Sequence, residues 1–196
     1  MDYDIKKNTL EECLNHWANP QDHNQPENYN KSYTSQRSKY LYGLLKKYKI
    51  PTTSRILEIG CNCCRNLNYI YSKGYNKLTG IEINKNAIDL QKELFHKLKA
   101  NIINSSIEDY ILKIQDNKFD VIFTMAVIQH IHLDSNWIFE HIARINKKWL
   151  IIIELDLYRN YEKIFTNLGY EQIEVRSCRL IKGLEKYKAR IFKKVK

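Results

Sequence analysis

The chain has 196 residues, 43% of them hydrophobic, and its 32 Lys and Arg against 22 Asp and Glu give a formal net charge of +10. That size and apolar content fit one globular domain with a core of ordinary size. No apolar run approaches the roughly 18–20 residues of a membrane-spanning helix, and the acidic start Met1-Asp2-Tyr3-Asp4 lacks the apolar segment of a signal peptide.

The five cysteines are Cys13, Cys61, Cys63, Cys64 and Cys178. Three crowd one turn, which is no disulfide framework and predicts a reducing, cytoplasmic location. A zinc site at Cys61-x-Cys63-Cys64 needs another ligand pair at regular spacing, and the sequence offers none. From Arg176 to Lys196 there are nine Lys or Arg and one acid, Glu185. Such a stripe binds phosphates in nucleic-acid proteins, but in a Lys-rich chain it reads first as a solvated face.

Residues 1–49 precede the sheet as helices with a lid-like loop. Leu10, Cys13, Leu14 and Trp17 have helical spacing. A stretch rich in Asn, Gln and Pro follows, from Ala18 to Tyr29, with loop composition. A second helix is expected over Ser35–Lys49, with Leu41, Leu44, Leu45 and Tyr48 on one face. A polar loop carrying aromatics just before a ligand-binding domain is a candidate cover. Trp17, Tyr29, Tyr33 and Arg37 are its members of interest, and for the aromatics simple packing is the competing account.

From residue 50 onward strand and helix patterns alternate. Strands are expected at 55–59, 77–83, 101–104, 119–125, 149–155, 171–178 and 187–194. Helices are expected at about 64–73, 85–98, 107–115, 135–146 and 158–168. Alternation of this kind predicts an α/β domain over 50–196, a mostly parallel sheet with helices on both faces. No helical pattern separates the last two strands, so they should pair as an antiparallel hairpin at the sheet edge.

The first strand ends in Glu58-x-Gly60-x-Asn62-x-Cys64. A strand turning tightly into a helix aims backbone N–H groups at a ligand above the sheet edge. The stretch resembles the first motif of class I S-adenosylmethionine-dependent methyltransferases, acid-x-Gly-x-Gly-x-Gly. Asn62 suits the second glycine position because asparagine tolerates left-handed backbone. Cys64 departs from the pattern, since its Cβ is expected to crowd a close approach of ligand and backbone. A dinucleotide motif needs a glycine at position 65, and Arg65 stands there, so the turn favours S-adenosylmethionine over NAD. The seven-stranded, Rossmann-like sheet with its C-terminal hairpin is similar to that family over about residues 50–196.

What the resemblance implies for the site runs along the strand ends. Glu82 closes the second strand, 22 residues after Gly60. There an acid accepts bonds from ribose hydroxyls, with Ile83 beside it. Ser106 and Ile107 fall in the segment that contacts adenine, and Ser106 is equally a helix N-cap. Thr124, Met125 and Ala126 would line the methionine end, and Arg37 would meet the cofactor carboxylate. His130 is the candidate general base, or else a histidine that bonds its own loop, and Gln129 stands where an acid is common. His130-x-His132 is too few ligands for a metal, so none is expected. Glu154 and Asp156, at the end of the fifth strand, are candidate substrate ligands together with Trp17, Tyr29 and Tyr33. Taken whole, the chain is similar to small bacterial and archaeal methyltransferases, some associated with nonulosonic-acid and surface-sugar pathways. The expected activity is methyl transfer to a small polar metabolite, at oxygen. An RNA-binding or RNA-modifying role for the basic C-terminal face and a non-catalytic cofactor-binding module are the alternatives.

Overall fold

The computed structural model describes residues 4–21, 24–30 and 35–195. Helix α1 (Leu10–Ala18) starts at Thr9, whose hydroxyl accepts the Glu12 amide while the Glu12 carboxylate accepts the Thr9 amide. This reciprocal cap satisfies two donors that the helix itself leaves unpaired. Helix α2 (Ser35–Lys47) buries Ser38, Leu41, Leu44 and Leu45 along one stripe.

Strands and helices then alternate. They are β1 (Arg55–Ile59), α3 (Arg65–Tyr71), β2 (Lys77–Glu82), α4 (Lys85–Leu94), β3 (Asn101–Asn104), α5 (Ile107–Ile111) and β4 (Phe119–Met125). After them come α6 (Ile138–Ile145), β5 (Asn146–Glu154), α7 (Tyr161–Asn167), β6 (Tyr170–Ser177) and β7 (Lys188–Lys194). All seven strands join one sheet in the order β3-β2-β1-β4-β5-β7-β6. The first five are parallel to one another, and β7 runs antiparallel to both β5 and β6. The chain winds from β1 outward to β3 and then returns to place β4 on the other side of β1. Ligands bind at such a reversal, above the carboxyl ends of the strands.

Alternating residues feed two cores. Leu57, Ile59, Ile122, Leu150, Ile152 and Phe192 face one side, with α6 and α7 supplying Phe139, Ile142, Tyr161 and Phe165. Ile56, Val121, Phe123, Ile151, Ile153 and Ile191 face the other, against Leu41, Leu44, Leu45, Leu67 and Ile70 of α2 and α3. Strands buried on both faces need continuous apolar runs, which β4 and β5 have.

Several helices are shorter than their apolar spacing implies. At the end of α4 the Phe95 amide still reaches the Gln91 carbonyl, but Phe95 itself leaves the helical region at φ −130°. At the end of α6, Asn146 donates back to the Ile142 carbonyl and also opens β5, so strand and helix abut three residues earlier than expected. Among the described residues no helix is long and apolar enough to cross a membrane.

Gly80, in the middle of β2, lets the turn after β1 pack directly on the sheet. A Cβ there would lie 2.6 Å from the Cys61 sulfur and 3.0 Å from Leu67 Cδ1. The same turn is tied to β2 by the Gly60 and Cys61 amides, both donating to the Ile81 carbonyl at 2.9 and 3.0 Å. Gly80→Ala should therefore overpack this junction and cost about 1–3 kcal/mol, read as a lower urea midpoint with an unchanged slope.

Candidate active site

The turn between β1 and α3 is built from left-handed residues. Gly60 has φ +69°, and a Cβ on it would fall 2.5 Å from both γ-methyls of Val127. Asn62 has φ +46°, as its residue type predicted, and its Oδ1 accepts the Cys63 amide at 2.7 Å. Cys64 is also left-handed, at φ +59°, a conformation that costs a non-glycine residue about 1–2 kcal/mol. Its side chain turns into the core, fully buried, with its sulfur 3.5 Å from that of Cys61. Cys64 is absent from the walls of the cleft above the turn. The expected crowding by its Cβ does not occur, because the left-handed backbone points Cβ inward.

Two buried carboxylates lie in that cleft. The Glu82 Oε2 accepts the Asn62 amide at 2.7 Å and its Oε1 accepts the Asn84 amide at 2.8 Å. Burial raises its pKa and these backbone bonds oppose the rise. Glu58 is held differently. Its Oε1 accepts Asn66 Nδ2 at 2.8 Å, while Oε2 is buried without a partner among the described residues. Burial pushes the Glu58 pKa up to about 8, against the Asn66 bond. Asn84 Nδ2, on the same cleft, is likewise buried without a partner. Buried polar atoms left this way are costly in a folded protein and mark where a ligand's polar groups belong.

At the end of β3, Ser106 caps α5, its hydroxyl lying 3.1 Å from the Asp109 amide. Ser106 and Ile107 both line the cleft, as does Ile83 after β2.

The segment after β4 forms the opposite wall with Met125, Ala126, Val127, His130 and Ile131. It is pinned from below at both polarities. Glu154, fully buried, takes the Thr124 hydroxyl at 2.7 Å and the Val127 amide at 3.0 Å. Arg159 donates to the carbonyls of Ile128, Ile131 and His132 at 2.8–3.0 Å. Thr124 and Glu154 are thus a brace beneath the wall and do not face the cleft, which corrects their expected places at cofactor and substrate. Asp156 is also withdrawn: burial opposes its ionisation, but Lys188 and Arg190, at 2.9 and 2.6 Å, hold its pKa below the usual carboxylate range. His130 does line the cleft. Its Nε2 lies 2.9 Å from Gln129 Nε2, and its ring sits 4.6 Å from that of Trp17.

The N-terminal segment roofs this space with Cys13, Leu14, Trp17, Pro20, Asn24, Tyr29 and Arg37. Cys13 donates to the His130 carbonyl at 3.2 Å, and His132 Nε2 meets the Asn8 carbonyl at 3.0 Å. Arg37 reaches across to the Lys182 carbonyl at 3.3 Å. Tyr33 lies outside the described residues. Arg65, whose bulk alone was legible in the sequence, joins roof to turn by donating to the Tyr29 carbonyl at 2.6 Å and to the Ser38 hydroxyl at 3.1 Å. Asn66 went unread as well; its signal was a polar side chain four residues before Ile70 on the buried stripe of α3. The cleft encloses about 1150 Å³ counted to its open mouth. Among the described residues no group of three or more His, Cys, Asp or Glu could hold a metal.

The model of a methyltransferase-domain family matches residues 57–152, from β1 into β5. Residues 57–152 thus carry a methyltransferase domain of the class I, S-adenosylmethionine-dependent kind. Solved structures share the fold of this methyltransferase at low identity. A TehB-like S-adenosylmethionine-dependent methyltransferase from Corynebacterium glutamicum is 18% identical over 86% of this chain and 97% of its own, with a TM-score of 0.63. Magnesium protoporphyrin IX methyltransferase from Synechocystis, with bound S-adenosylmethionine, is 12% identical over 98% of both chains, with a TM-score of 0.68. A putative RNA methyltransferase from Pyrococcus horikoshii is 13% identical over the full length of both, with a TM-score of 0.68. No curated protein matches the sequence.

The state of Glu58 has a measurable consequence for this methyltransferase without ligand. Its pKa is near the ordinary 4.5 when unfolded and about 8 when folded. Between those values the folded chain holds a proton that the unfolded chain has released. The associated stability is complete below the lower value and is lost as pH rises through the upper one. Glu58→Gln should flatten the fall in urea midpoint between about pH 5 and pH 8 relative to the wild type, leaving the share of Glu154, which burial raises to about 7.

Proposed function

We propose that this methyltransferase acts in the cytoplasm on an oxygen of a small polar metabolite, sugar-like or natural-product-like, held beneath α1 and residues 24–30. The observation that carries the cofactor assignment is Glu58 Oε2, a buried acceptor with no partner at the base of the cleft. An amino-acid ammonium answers it, and Arg37 on the roof answers the carboxylate of the same tail. Glu82 keeps lone pairs for a vicinal diol, since each oxygen is engaged by one amide. Asn84 Nδ2, Ser106 and the Ile83 and Ile107 backbone serve the nucleoside, and Met125 and Ala126 border the tail.

When bound, S-adenosylmethionine supplies a methyl group activated by a sulfonium centre. The chain's own share is alignment and exclusion of water. Trp17, Tyr29 and His130 bound the space left for the acceptor, and transfer between aligned centres needs no strong base. A small acceptor suits a roof that α1 closes and Arg65 fastens. The nucleic-acid alternative is weakened by the basic C-terminal stretch itself. There Lys188 and Arg190 are spent on Asp156, Arg176 on Glu174, and Lys194 on the Ala143 and Asn146 carbonyls.

Calorimetric titration with S-adenosylhomocysteine, with NAD as control, tests the assignment. The wild type should bind S-adenosylhomocysteine and not NAD, and Glu82→Ala should weaken binding about tenfold or more, the worth of a charge-assisted hydrogen bond. Absence of binding to both ligands overturns the cofactor reading, while binding without methyl transfer to any acceptor supports the non-catalytic module. A cationic amino group beside Glu58 also forces its carboxylate to ionise. Binding at pH 7 should therefore release a proton, seen as a binding enthalpy that changes with the ionisation enthalpy of the buffer, and Glu58→Gln should abolish that dependence.

A further inference from the structure

Gln129 is almost fully buried and makes three bonds that together fix which way its amide points. Its Oε1 lies 2.7 Å from the Leu155 backbone nitrogen. That nitrogen can only donate, so the atom facing it is the amide oxygen and Nε2 is the NH2 group. The two hydrogens of that group are then aimed at the Tyr187 hydroxyl, 3.1 Å away, and at His130 Nε2, 2.9 Å away. A donor on one side requires an acceptor on the other, so His130 Nε2 carries a lone pair in this arrangement. In a neutral imidazole the proton then sits on Nδ1. The imidazolium, with hydrogen on both nitrogens, would set N–H against N–H.

We propose that Gln129 is a positioning residue that holds His130 as the neutral Nδ1–H tautomer, with Nε2 occupied and any further hydrogen bond donated from Nδ1. The consequence for catalysis rests on the methyl-transfer reading above. While Gln129 keeps its place, Nε2 is not open to take the proton of an acceptor hydroxyl, and that proton leaves by another route. His130 is then a donor on the wall of the acceptor space, its ring tilted against that of Trp17, in place of the general base that its residue type indicates. A glutamate at position 129 would reverse the arrangement: one oxygen would still accept the Leu155 amide, and the other would demand a proton on Nε2.

The test is a long-range proton–nitrogen correlation spectrum of the full chain labelled with nitrogen-15 histidine. The chain has six histidines, and His130→Asn identifies the resonances of interest by their loss. The wild type at neutral pH should show an acceptor-type Nε2 and a protonated Nδ1. Gln129→Glu should exchange these two signatures or produce the imidazolium pattern, and Tyr187→Phe, which leaves the amide in place, should not. A protonated Nε2 in the wild type, or an unchanged pattern in a folded Gln129→Glu, overturns the proposal. The wild-type spectrum decides by itself should the glutamate variant fail to fold. Titration with S-adenosylhomocysteine on the same samples keeps the two readings separate, because a chain that binds none refutes the cofactor assignment whatever the tautomer.

Discussion

The carboxylate of Glu82 joins the two turns that make the cleft. One oxygen holds the Asn62 amide after β1, the other holds the Asn84 amide after β2. A carboxylate buried at this depth is costly unless its oxygens are met, and backbone donors fixed by two separate turns meet them without the entropy of ordering long side chains. The turn from Gly60 to Cys64 with its three left-handed residues, the seat of that turn on Gly80 and the N-cap of α4 at Asn84 are all consistent with this single group. Loss of it would free both turns at once, so the shape of the cleft and the local order of both turns depend on the same atoms.

The opposite wall uses the same logic with both signs of charge. Glu154 gathers the hydroxyl and amides of residues 124–129, and Arg159 gathers the carbonyls of residues 128–132. An acid satisfies donors and a guanidinium satisfies acceptors, so a loop without regular secondary structure is held from both polarities. This also explains how Ala126 tolerates φ +60°. Its amide donates to the Ile153 carbonyl at 2.9 Å, while its neighbour Val127 is fastened to Glu154.

Much of this was legible in the chain itself. The strand Phe119–Met125 was expected with the bounds it has, and the α/β sheet followed from the alternation of strand and helix patterns. Glu82 was found by a rule about acids at strand ends, and the same rule misplaced Glu154. The difference is not in the strands, which both end on an acid, but in what folds over them. Residues 83 and 84 flank Glu82 on the cleft without covering it, whereas the Val127 and Gln129 amides close over Glu154. Arg65 was read for its bulk against a phosphate, but its partner Tyr29 lies 36 residues earlier, a separation that no local pattern encodes. Gln129 looked like a missing acid, and only the Leu155 amide, 26 residues away, shows what an amide does there.

The hold of Arg65 on the Tyr29 carbonyl links roof and floor through one side chain. Arg65 opens α3 directly after the turn that follows β1, and Tyr29 belongs to the segment that closes the space above it. Ordering the roof is thereby done before any ligand arrives, which lowers the entropy lost on binding. The same link acts in the other direction on departure. On the proposed function, a spent cofactor would leave past a segment anchored to the turn beneath it, so the letting go of one guanidinium would be a step of product release.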